Sequence, residues 1–125
     1  MTQTHHEQST TLFENAYRET KKSLNVPDEI LIRLNETFFA SVGGALEKLK
    51  EAMNANDYEA MKMHAHSVKG ASSTLHYVTI SAIAAEIEEH AQQKEAYAEG
   101  LIALSNEFAA AADGYRMWKS ARPSS

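Results

Sequence analysis

His66 is the side chain in this sequence best equipped for covalent chemistry at neutral pH, and its neighbours decide which chemistry that is. Imidazole has an unperturbed pKa of about 6.5, so a neutral, nucleophilic ring nitrogen is available near pH 7. On a helix, Lys62, Lys69, Gly70 and Ser73 all fall within about 60° of His66 around the axis. This face reads Lys, His, Lys, Gly, Ser. A ring nitrogen that attacks phosphorus becomes a phosphoimidazole and gains roughly two negative charges, which Lys69 and Lys62 would meet with charge-assisted hydrogen bonds. A lysine is a mobile point charge, suited to a group that arrives and then leaves. Gly70 costs about 1 kcal/mol of helix propensity against alanine. That cost has a function if the bare backbone lets another protein close over the ring. Singly, each residue reads as a solvated helix face or a packing glycine. Together they define a candidate phosphoacceptor site: His66 as acceptor, Lys69 for charge, Gly70 for access, and Lys62 and Ser73 in support.

Other chemistries are poorly supplied. The chain has no cysteine, which removes disulfides, thiolate catalysis and cysteine-based metal sites. Its six histidines are His5, His6, His64, His66, His76 and His90. Helical metal pairs need spacings of three or four residues, whereas His64 and His66 point about 200° apart; no metal or cofactor is expected. Seventeen acidic against twelve basic residues give a net charge of −5, with no basic stripe, which argues against nucleic acid. Neither the G-x-x-x-x-G-K nor the G-x-G-x-x-G nucleotide loop occurs, so no ATP site or autokinase activity is expected. The polar start "MTQTHHEQSTT" resembles no signal peptide, and no apolar run reaches the roughly 18 residues of a membrane span. A cytoplasmic location is the expectation.

The elements that must position His66 are helices. The 125 residues suit one domain, and apolar residues recur with the 3.6-residue period in five segments: about 11–24, 27–53, 57–75, 80–93 and 94–119. Thr11 with Glu14, and Asn56 with Glu59, have the spacing of helix-start caps, and Pro27 suits a first helical position. The second stripe is Leu31, Leu34, Phe38, Val42, Ala45, Leu49 and Ala52; Gly43 and Gly44 within that helix suggest close helix approach or a bend. "HYVTIS" is short and reads as a turn. Short polar connections imply antiparallel neighbours. The expected fold is all-α: an antiparallel up-down four-helix bundle with an additional N-terminal helix packed across one end or side. One domain spans residues 11–119, between flexible tails at 1–10 and 120–125.

The run His66-Ser67-Val68-Lys69-Gly70-Ala71-Ser72-Ser73, preceded by Ala65, resembles the signature of histidine-containing phosphotransfer (HPt) domains. The resemblance spans roughly residues 28–92. It implies a four-helix core with the reactive histidine exposed midway along one helix. It also implies a monomeric phosphorelay intermediate: His66 would accept a phosphoryl group from the aspartate of a receiver domain, as in a hybrid sensor kinase, and pass it to a response-regulator aspartate. Mg²⁺ would sit on the receiver partner. A helical adaptor that binds a receiver or kinase without being phosphorylated is the alternative, and a histidine-rich metal or ligand bundle a third. Two positions depart from the pattern: Val68 replaces a leucine, and His76 stands where a glycine often closes the histidine helix. Family members often place a polar side chain from a neighbouring helix near the imidazole; Thr37 and Ser41 are the sequence's suggestions for it.

Overall fold

The computed structural model describes residues 5–122. Five helices follow one another: α1 (His5–Leu24), α2 (Asp28–Asn54), α3 (Tyr58–Thr74), α4 (Val78–Gln92) and α5 (Ala98–Ala121). No strand occurs among the described residues, and none of their helices is long and apolar enough to cross a membrane. α3 packs most intimately on α4 and α1 on α5, and α2 and α5 complete the bundle around the α3–α4 pair. Successive pairings of His66 with Glu88 and Ser73 with Ser81 run in opposite sequence order, so α3 and α4 are antiparallel.

The third and fourth helices each bury one face, as the 3.6-residue period predicts. Met61, Ala65, Val68, Ser72 and Leu75 are buried on the α3 side, and Ile80, Ala84, Ile87 and Ala91 on α4. On α2 the face is rotated slightly: Leu34 lies exposed, and Asn35 and Leu46 are buried instead. α2 runs unbroken through its glycine pair. A Cβ on Gly43 would make ordinary contact with Phe108, and one on Gly44 would meet open space, so close approach requires neither glycine.

α1 begins six residues before its expected start, so Thr11 lies inside the helix and caps nothing. The expected tail at 1–10 is correspondingly shortened; residues 1–4 lie outside the described part, as do 123–125 beyond α5. Apolar periodicity does not reveal the extra turns because their anchor is polar: Ser9 is buried against α5. Ser9, Phe13 and Tyr17 meet Gly114, Tyr115 and Trp118 in the same sequence order, which lays α1 along the side of α5 and parallel to it. Tyr17 Oη donates to Asp28 at 2.6 Å, tying α1 to the start of α2; burial and then this bond push the phenol up to about 12, so it stays a donor. A Cβ on Gly114 would collide with the Ser9 backbone. Gly114→Ala is therefore expected to destabilise the protein by about 3 kcal/mol, at the upper end for overpacking, seen as a lowered urea midpoint.

The helix ends are closed without glycine. Asn25, Asn56, His76 and Lys94 hold φ of 50°, 51°, 62° and 59°, and no described glycine has positive φ. At the end of α3, Tyr77 N–H donates to Ser72 O and His76 N–H to Ser73 O, the paired bonds of a Schellman cap with His76 at its left-handed position. The family glycine replaced by His76 thus leaves the turn's geometry in place. Asp57, rather than Asn56 with Glu59, caps α3: its carboxylate accepts from Ala60 N–H at 3.1 Å. Pro27 precedes α2 as its N-cap.

Candidate functional site

α3 presents His66 opposite its buried stripe because Ala65 and Val68, one before and two after, are both fully buried. The imidazole side chain is 67% exposed. Gly70, one turn on, has nothing within 4 Å of where a Cβ would stand. The space beside the backbone there is open. Lys62, Ser67 and Met63 border His66 in an open groove that Glu59 and Glu88 complete. Met63 in that groove and Val78 at the start of α4 are exposed large apolar side chains, at 58% and 69%.

Glu88 of α4 joins the pieces. Its Oε2 lies 2.8 Å from His66 Nδ1, and its Oε1 accepts from Lys69 Nζ at 2.7 Å. The Lys69 ammonium, and after it the His66 ring, hold the Glu88 carboxyl below the usual carboxylate range against the opposing pull of desolvation. An ionised carboxylate only accepts, so the proton at the histidine contact belongs to Nδ1. Nε2 is then the nitrogen with a free lone pair.

Of the residues singled out in the sequence, His66, Lys69 and Gly70 stand together, but Lys69 is paired with Glu88. Ser73 turns away: its hydroxyl lies 2.6 Å from that of Ser81, which also donates to Lys69 O. The partner of the ring is Glu88, not Thr37 or Ser41, which belong to α2. A signal for Glu88 existed. It lies about 40° around the axis from Ala84, so it is a carboxylate at the margin of an otherwise apolar face. What it reaches depends on how α4 lies on α3, which no spacing within α4 encodes. Among the described residues no three or more histidines and carboxylates come together as a metal-binding group.

Fold and site define a helical bundle that exposes one oriented imidazole on a helix flank. The sequence model of the Hpt domain matches residues 33–114, most of the chain, and the protein belongs to that family. Its role is accordingly histidine phosphotransfer in two-component signalling, as a phosphocarrier whose family implies receiver-domain partners. The crystal structure of histidine-containing phosphotransfer protein B (HptB) from Pseudomonas aeruginosa PAO1 superposes with a TM-score of 0.73 at 23% identity, covering 86% of this chain and 94% of HptB. That likeness shows the shared fold. No curated protein matches the sequence.

Proposed function

We propose that this protein is a phosphorelay intermediate in which His66 Nε2 takes a phosphoryl group from a receiver-domain aspartate and yields it to the aspartate of a response regulator. The single observation that carries the proposal is the orientation of the ring: Nδ1–H is held by Glu88 while Gly70 leaves the approach above it open. The Nε2 lone pair forms the N–P bond as the P–O bond to the donor aspartate breaks, and that carboxylate departs. No proton moves. The ring becomes a phosphoimidazolium with Nδ1–H unchanged, and Glu88 is its counterion. The cation makes the ring a good leaving group, so the same contact serves transfer in both directions. Phosphoryl transfer of this kind is largely positioning and charge neutralisation. Lys69 would leave Glu88 to meet the incoming phosphoryl oxygens as a mobile cation. Met63 and Val78 supply apolar contact for a transient interface of modest area. A receiver metal ion, on the partner, would neutralise charge on the donor side.

The test is incubation with a phosphorylated receiver. Transfer of an acid-labile, alkali-stable phosphoryl group to this chain supports the proposal; a stable complex with no transfer to it, across several receivers, would instead identify a non-phosphorylated adaptor.

Gly70 gives an independent check on access. Gly70→Ala is expected to raise stability by up to about 1 kcal/mol, since its Cβ meets open space, with transfer nearly unchanged. Gly70→Gln should keep the stability yet slow transfer several-fold by covering the ring. Equal transfer rates in the two variants would remove access as the reason for the glycine.

A further inference from the structure

The turn joining α3 to α4 is clamped from two sides. The Thr20 hydroxyl, fully buried on α1, lies 2.7 Å from the Leu75 carbonyl at the C-terminus of α3 and 2.7 Å from Ala16 O, so its one proton is shared between two acceptors. Tyr77 Oη donates to Asn35 Oδ1 at 2.6 Å, and Asn35 Nδ2 donates to Leu31 O at 2.9 Å, which fixes the amide for the phenol. Burial raises the Tyr77 phenol well above its ordinary range, so it stays a donor. Its ring also stacks on Phe38 with centroids 4.6 Å apart. Between these two anchors sits His76, in a left-handed conformation that costs a non-glycine residue about 1–2 kcal/mol.

We infer that Thr20 and the Tyr77–Asn35 pair are positioning residues for phosphoryl transfer: by clamping the α3–α4 turn they hold Glu88 in register with His66. The inference rests on the reading of His66 as phosphoacceptor. Glu88 lies about 16 Å along α4 from Tyr77, and His66 about 14 Å back along α3 from Leu75, at 1.5 Å per residue. A tilt of about 3° at the turn moves the far end of such an arm by nearly 1 Å, enough to break a 2.8 Å hydrogen bond. A left-handed histidine gives the turn a local reason to relax, and the two clamps oppose it. One of them comes from α1, which lies outside the segment matched by the family. The N-terminal helix thereby acts on the site without approaching it.

Thr20→Val and Tyr77→Phe each remove one hydroxyl at nearly constant shape, and Thr20→Ser keeps it. Two readouts apply to the full-length protein: the ring-nitrogen chemical shifts of His66, and the transfer rate with saturating phosphorylated receiver. Both hydroxyl-deleting variants are expected to move the Nδ1 signal toward that of an unpaired imidazole. They should also lower the saturated rate about tenfold, within the range a misplacement of 1 Å can cost, with the half-saturating receiver concentration unchanged. Thr20→Ser should match the wild type. Leu104→Ala serves as the stability control, because it leaves a core cavity on α5, a helix that contributes no residue to either clamp. Wild-type ring shifts in folded Thr20→Val and Tyr77→Phe overturn the inference, and so does an equal displacement in Leu104→Ala. Should Thr20→Val fail to fold, Tyr77→Phe decides by the same readouts. If the wild type accepts no phosphoryl group, the reading of function fails, while the ring shifts still judge the clamp.

Discussion

His66→Gln is expected to accept no detectable phosphoryl group from a receiver that labels the wild type, while unfolding at the same denaturant concentration. The glutamine amide has no available lone pair on nitrogen, so the N–P bond cannot form. It can still donate to Glu88, and the site is solvent-facing, so the fold should lose no more than about 0.5 kcal/mol. His64 is the control. It lines a different groove, between α2 and α3, with Lys48 and Asp57, on the other flank of the helix from Glu88. His64→Gln should therefore transfer like the wild type. Label surviving in His66→Gln and lost in His64→Gln would move the acceptor to the other histidine and overturn the site.

Replacing Glu88 by glutamine should cost about tenfold in transfer rate. A charge-assisted hydrogen bond is worth about 1.5–3 kcal/mol, or ten- to hundredfold in rate, and the exposure of the ring places this one at the lower end. Chemistry gives a second reason. A carboxylate only accepts and so keeps the proton on Nδ1, whereas an amide can turn its NH₂ toward Nδ1 and leave the proton on Nε2, where it blocks attack. The variant should thus show a mixed tautomer by NMR as well as slower transfer; a wild-type rate together with a wild-type tautomer would deny Glu88 its role. Its folded carboxyl has a lowered pKa, so between the lowered and the ordinary value the unfolded chain binds more protons. Its contribution to stability is therefore complete above the ordinary glutamate range. It fades as the pH falls through that range to the lowered value, and Glu88→Gln should flatten that limb of the stability curve.

The parts of the site that lie on one helix are legible in the sequence. His66, Lys69 and Gly70 share a face because helical spacing puts them there, and Ala65 and Val68 declare which side is inward. The parts that span two helices are not. Glu88 stands at the margin of an apolar face, but nothing in the fourth helix tells what it reaches, and Ser73 looks like support for His66 although it binds Ser81. The start of α1 escapes for a related reason: Ser9 is buried not for its own hydrophobicity but because Gly114 leaves room for its backbone. His76 looks like a defect in the turn, yet the Schellman bonds and the clamps around it keep the turn intact.

What the amino-acid order determined by itself is therefore everything periodic: five amphipathic helices, an all-α bundle, and a histidine turned to solvent beside a lysine and a bare stretch of backbone. Side chains on one helix are placed by a repeat of 3.6 residues, which can be counted. Only the tertiary structure decided that α1 lies parallel along α5, that Lys69 is shared with a carboxylate, and that Nδ1 rather than Nε2 is tied down. Those outcomes depend on the axial register of one helix on another. That register is set by the sum of many contacts and by turns such as the one at His76, and no local spacing contains it.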